Sequence, residues 1–324
     1  MGDRSSRWLC AFSRLPHTSR MRALAPVVLA TLVVLPLLLA GGAGHAGDRV
    51  YRWTDKQGRV HYGDRPPANA APARVRTIPV PVEASAIARL RVESGDGEYL
   101  AWADNHLAGP IEVLLGFSES RNIRGEPALP ARATIPARGS VLVARLRVDD
   151  PRREGSFGLT LAGVPGNPSA RPRDVEYQLP LRQPKVRIDQ GFGGGFSHDD
   201  EQNRHALDFA ADIGTPVLAA RAGTVMQVES DFSKAGLKRE KYGGRANFVR
   251  ILHDDGTMAL YAHMATDGVY VRVGQKVELG QRIGLSGNTG FTTGPHLHFV
   301  VQANRGMRLV SIPYRMRGVA MPKR

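Results

Sequence analysis

Apolar residues in this chain fall in short runs that are cut every few positions by glycine, proline, asparagine or aspartate, with valine and threonine recurring between the cuts. That rhythm favours short strands and turns over long helices, and the expected class is all-β. Val50, Tyr51 and Trp53, then Val60 and Tyr62, flank the turn-prone Lys56-Gln57-Gly58 and read as a small β-hairpin module over 47–67. Ala and Pro dominate 68–82, which reads as a linker. Between 83 and 183 come strand-like runs at Ala88–Val92, Tyr99–Ala103, Ile111–Phe117, Ser140–Val148, Phe157–Leu161 and Val175–Leu181. Regular short strands of that kind suggest a β-sandwich-like domain. From Pro184 to the end at 324 the texture changes to Gly-rich hairpins.

One run breaks the rhythm. Leu24–Ala40 is apolar, follows Arg22 and leads into small residues ending Gly44-His45-Ala46. A basic start, an apolar centre and a small-residue exit are the parts of an export signal, expected to be cleaved after Ala46. An uncleaved anchor helix is the lesser reading, because Pro26 and Pro36 interrupt a run already short for a span. Residues 1–20 look unlike such a signal and Met21 opens a conventional one, so either Met1 or Met21 is the start. The expected localisation is the periplasm, with the membrane met only through the signal.

Removing 1–46 takes away five arginines and Asp3, which lowers the formal charge from +14 to +10. The chain stays basic. Its basic residues are scattered and no nucleic-acid motif accompanies them, so a nucleic-acid partner is not expected. Cys10, the single cysteine, also lies in the removed segment. A metal would have to be held by His and carboxylate.

Six of the ten histidines, at 198, 205, 253, 263, 296 and 298, fall after Pro184. In Gly294-Pro295-His296-Leu297-His298-Phe299 the flanking apolar residues make a strand, on which His296 and His298 share one face while Leu297 and Phe299 enter the core. Two imidazoles on one face can divide labour between metal ligation and proton handling. His61 and His106 read as surface strand and loop residues, and His253 as the end of a hairpin. Gly274-Gln275 and Gly280-Gln281 recur as two turns of a tightly folded β motif.

Upstream of the HLHF strand stand Arg204-His205-Ala206-Leu207-Asp208-Phe209-Ala210, then Leu260-Tyr261-Ala262-His263-Met264 and Ser286-Gly287-Asn288-Thr289-Gly290. In that order these motifs resemble the lysostaphin/LytM-type family of zinc peptidoglycan peptidases, over roughly 184–318. The resemblance implies an antiparallel β metallopeptidase domain of the hybrid-motif type, Asp208 and His298 as zinc ligands, and His263 and His296 as the catalytic histidines. Three protein ligands leave the open position a catalytic zinc needs. The pattern breaks at its first member, where Arg204 stands in place of a histidine. His205 is near in sequence but lies at odd spacing from Asp208, which sends strand side chains to opposite faces. His198, at the end of the Gly-rich Gly191–His198 loop, is the preferred replacement, with His205 the alternative; some family members are similar in carrying FSH ahead of NRxAxDFA.

The implied function is zinc-dependent hydrolysis of peptide cross-links in bacterial peptidoglycan, with the peptide stems as substrate and other cell-wall enzymes as further partners. An alternative follows from the altered motif: a catalytically inactive LytM-like regulator that activates wall amidases. A lipoyl or biotinyl carrier is a third reading, and no Met-Lys signature supports it. The 47–67 module resembles one found just after the export signal in many proteobacterial proteins.

Overall fold

The computed structural model of the 324-residue chain describes residues 49–54, 60–63, 75–79, 87–95, 97–183 and 185–320. The export signal, its exit at Ala46, Cys10 and Met21 lie outside them. Contacts divide the chain into two compact units, Ala11–Ser85 and a larger one containing Ala86–Arg324.

In the smaller unit, Arg49–Thr54 pairs antiparallel with Val60–Gly63, in the register Trp53 opposite His61. It also pairs with Val75–Pro79, a strand inside the stretch read as a linker. Val-Arg-Thr-Ile has the alternation and β-branching a strand favours, and proline ends it.

Among its described residues the larger unit is all-β apart from the single turn of helix Arg239–Tyr242. Its first half is a sandwich. One sheet orders Ala88–Ser94, Glu98–Asn105, Ser140–Val148 and Ile123–Glu126; the other orders Ser156–Pro165, Ile111–Arg121 and Ala131–Ile135. Alternate positions Ala101 and Ala103, and Ile111, Val113 and Leu115, point into the shared core. Exposed His106 follows Asn105, whose buried amide closes the turn by donating to Gly109 O and Pro136 O, both at 2.8 Å.

The sandwich ends earlier than its sequence suggests. Within 175–181 only Glu176–Tyr177 is a strand, and it runs parallel to Arg315–Met316 near the C-terminus. Tyr177 and Leu181 belong to the core of the second half, where the Tyr177 ring meets Phe299 and Tyr314 edge-on at 6.0 and 5.5 Å. The two halves also share a core. Met226 and Met258, on strands of the second half, are fully buried in the sandwich cluster, each contributing about 1.5–3 kcal/mol by burial.

The second half is a ten-stranded sheet whose path runs Ile188–Gln190, Leu207–Ala210, His296–Asn304, Met258–Val269, Asn247–Leu252, Gly223–Glu229, Lys276–Val277. Behind its central strands pack Phe209, Tyr261, Leu297, Phe299 and Ile283. The recurrent Gly-Gln pairs form two like turns. Gly274 and Gly280 take positive φ of 91° and 77°, which glycine adopts without strain, and donate to Val225 O and Ala219 O at 2.8 Å. Gly287 is needed for space instead: a Cβ there would strike the backbone of Met264 and Ala265.

Candidate metal centre

Asp208 and His298 sit directly opposite one another on paired antiparallel strands, and Ala210 faces His296 in the same ladder. Residues opposite in register share a face, so the Asp208 carboxylate meets both imidazoles. His298 Nδ1 is 2.8 Å and His296 Nε2 3.7 Å from Asp208 Oδ1.

His198 enters from the loop ahead of this ladder. Its ring is fully buried, with Nε2 3.2 Å from Asp208 Oδ1. The loop is held by His198 N donating to Gly194 O at 2.9 Å and Gly193 N to Arg204 O at 2.7 Å. Asp200 organises its return by accepting from the backbone of Gln202 and Asn203, both at 2.9 Å. Among the described residues, His198, Asp208 and His298 form the group whose donor atoms all lie within 4.8 Å of one another. His205 goes elsewhere: its Nδ1 lies 3.1 Å from both Ser311 O and Ser311 Oγ, and its ring meets Phe192 edge-on. It stands in the turn 201–205 ahead of the strand, where strand alternation does not apply.

His263 arrives by an irregularity that spacing does not reveal. Ala262 pairs with His298, so plain alternation would turn residue 263 to the other face. On the opposite edge, however, Asn247 pairs with Met264 and the next residue, Phe248, with Ala262. His263 is therefore the extra residue of a β-bulge, with φ of 61°. That left-handed backbone, costing about 1 kcal/mol for a non-glycine residue, turns the imidazole to the site. Its ring centroid is 4.5 Å from that of His296 and 5.8 Å from that of His298.

Hydrogen bonds hold the rings in place. His198 Nδ1 donates to Gly191 O at 2.8 Å, which leaves Nε2 bare, buried and without a hydrogen-bond partner. His298 lies between two acceptors, Nε2 3.2 Å from Asn203 Oδ1 and Nδ1 2.8 Å from Asp208 Oδ1. His263 Nδ1 donates to Thr289 O at 2.7 Å and His296 Nδ1 to Gly294 O at 2.8 Å. Gln190 Nε2 supports Asp208 Oδ2 at 3.4 Å. Asn203, Gln190 and the carbonyls of Gly191, Thr289 and Gly294 are orienting partners that spacing alone does not single out. The polar Asn203 within the NRHALDFA run was the available signal.

Burial and charge act in opposition here. Burial pushes the Asp208 carboxyl up, but hydrogen bonds and charge from His198 and His298 hold it far below the carboxylate range. Burial lowers His198, and the Asp208 carboxylate more than restores it, for a net rise. His263, buried and facing His296 and His298, is pushed down to about 3. His253 is a separate case. Its Nδ1 donates to Ala222 O at 2.8 Å, its ring lies against Tyr177, and burial pushes it down to about 4.

The chemistry of the donor set can be tested on these contacts. One nitrogen from each of two imidazoles and a carboxylate oxygen converge within 4.8 Å, buried from solvent, as a cation's ligands would. Two nitrogens and one oxygen suit zinc.

A buried His–Asp–His set on an antiparallel sheet, with two further imidazoles beside it, defines a metallopeptidase domain. Residues 202–309 match the model described as Peptidase family M23, and the C-terminal domain belongs to that family. Residues 37–89 match a domain of unknown function, DUF4124. Among curated relatives, the chain is 45% identical over 95 residues to the peptidoglycan DD-endopeptidase ShyA of Vibrio cholerae, covering 29% of this chain and 19% of that one. It is 37% identical over 103 residues to the glycyl-glycine endopeptidase ALE-1 of Staphylococcus capitis, covering 32% and 25%. With lysostaphin of Staphylococcus simulans it shares 39% identity over 101 residues, covering 31% and 18%. The chain thus spans a quarter or less of the length of each. His198 lies ahead of the matched family segment. No helix among the described residues is long and apolar enough to cross a membrane.

Proposed function

We propose that this chain is a zinc-dependent endopeptidase that hydrolyses peptide cross-links of bacterial peptidoglycan, acting in the periplasm after export. The observation that carries the reading is the convergence of His198 Nε2, His298 Nδ1 and Asp208 Oδ1, buried together. These three residues would hold the metal. Zinc bound there acidifies a water molecule and polarises a carbonyl oxygen.

The protein's own groups do the rest. His263 and His296 present bare Nε2 atoms because each spends its Nδ1 proton on a carbonyl. Either ring can take a proton from the attacking water, and the ring that has taken it has an N–H to offer the developing oxyanion and then the leaving amine. Thr292 Oγ1, 3.3 Å from His296 Nδ1, helps fix that ring. The substrate class comes from the relatives, whose names describe peptidoglycan and glycyl-glycine endopeptidases. A basic mature chain would adhere to anionic wall material, more weakly as salt rises. Nothing in the site favours the inactive-regulator reading, which rested on a missing first ligand.

The test is digestion of purified cross-linked muropeptides by the zinc-loaded full chain, with products read by mass spectrometry. New amine and carboxyl ends at the cross-link are expected. Intact cross-links with a zinc-replete protein would overturn the proposal.

A further inference from the structure

The segment 230–246 interrupts the sheet between Gly223–Glu229 and Asn247–Leu252 and borders the metal centre. Gly290 N donates to Lys234 O at 2.8 Å, and Ala235–Gly236 runs parallel to Gly290–Phe291. Phe291 precedes Thr292, the partner of His296, and its ring stacks on Phe196 at 5.4 Å with 4° between the planes. Phe196 in turn lies two residues before His198. Arg239 covers the other side of this junction, 5.7 Å over the Phe291 ring. The segment is therefore a wall of the site.

That wall is basic. It carries Lys234, Lys238, Arg239, Lys241 and Arg245 against Asp231 and Glu240, a net of +3. Some of its charge is engaged: Arg239 faces Asp199 and Asp200 at 3.6 and 3.9 Å, Arg245 lies 4.6 Å over Phe232, and Asp231 interacts with Glu229. Lys241 lies 5.2 Å over the Tyr242 ring, yet it, Lys234 and Lys238 are exposed, and among the described residues no carboxylate pairs with these three. Unpaired lysines on a segment that borders the metal centre form a field that an anionic ligand enters with gain, and each ammonium is a mobile point charge suited to carboxylates at varied positions.

We propose that this rim reads substrate charge, selecting peptide strands with free side-chain and terminal carboxylates over the same strands with those groups amidated. The inference rests on the endopeptidase reading and adds to it the feature of the stem that is recognised.

The test uses two synthetic cross-linked peptides that differ only in whether the carboxylates are free or amidated. The full zinc-loaded chain is compared with K234Q/K238Q/K241Q, by fluorescence anisotropy for binding and by rate for cleavage. At low salt the wild-type protein is expected to favour the free acid by about tenfold in kcat/KM, through KM, within the range that charge steering gives. The triple variant is expected to lose the preference with kcat and zinc content kept. Equal binding of both peptides by the wild-type protein, or a preference that survives in the variant, overturns the inference. Charge-selective binding without hydrolysis would remove the endopeptidase reading and leave the rim; hydrolysis of both peptides at one rate would do the reverse.

Discussion

Replacing His198 by alanine should remove the metal, and with it most of the stability the metal confers. The imidazole is fully buried and offers a bare Nε2 to the site, so its loss leaves Asp208 and His298 as a two-ligand remnant. Metal-free, the substitution forfeits the bond to Gly191 O, worth about 1 kcal/mol. With zinc at a thousand times its Kd the intact site gains about 4 kcal/mol from binding, which for a domain of this size corresponds to roughly 8–16 °C in Tm. The assay pairs zinc stoichiometry by atomic emission with thermal melts in zinc and in EDTA. Wild-type protein should hold one zinc and lose that increment in EDTA. The H198A variant should hold none and melt alike in both, a little below wild-type in EDTA. His205→Ala, which loses contacts to Ser311 and Phe192 but none to the metal centre, should hold zinc as wild-type does. One tightly held zinc in H198A with an undiminished EDTA shift would refute the three-donor reasoning, and loss of zinc in H205A would transfer the role.

Alanine at His263 or His296 should lower kcat at least about a hundredfold, the usual worth of a proton-handling group, while zinc content stays that of wild-type, as cross-linked peptide kinetics and metal analysis will show. Met226→Ala and Met258→Ala, which open cavities where the sandwich meets the sheet, should each cost about 2–5 kcal/mol in urea unfolding, and should do so in one transition for both halves. His253 is held neutral: its folded pKa of about 4 lies below the unfolded 6.5, so its contribution is complete above pH 6.5 and is lost as pH falls toward 4. In EDTA, stability between pH 7.5 and 4.5 should therefore fall by about 2–3 kcal/mol more in wild-type protein than in H253Q.

One pair of the candidate site was visible in the spacing, and Asp208 and His263 were implied only by the family resemblance. His296 and His298 share a face because a strand repeats every two residues, and Asp208 joins them because its strand pairs in register. The same rule set His205 behind His198 as the alternative, although His205 stands in a turn where strand alternation does not apply. What periodicity could not supply was His263, which alternation turns away from the site and a bulge with positive φ returns to it; nothing in Tyr-Ala-His-Met marks the extra residue. His198 was open to choice because a loop has no parity. The sandwich was legible from its five longer strands, but Ile123–Glu126 and Ala131–Ile135 lie in a stretch too rich in proline and charge to read as strands. The 175–181 run looked like a sandwich strand because apolar character does not say which core receives it, and the aromatic cage around Tyr177 decided the matter.

Burial of Met226 and Met258 among sandwich residues has a consequence for how the chain is made. Translation delivers residues 87–165 well before either methionine exists, so the sandwich leaves the ribosome with its interior unfinished and waits for partners from downstream. A chain cut short before Met258 would lack one or both plugs, leaving apolar surface of the sandwich uncovered. The sandwich is thus complete only once the strands that carry Met226 and Met258, in the half with the candidate metal centre, have been made.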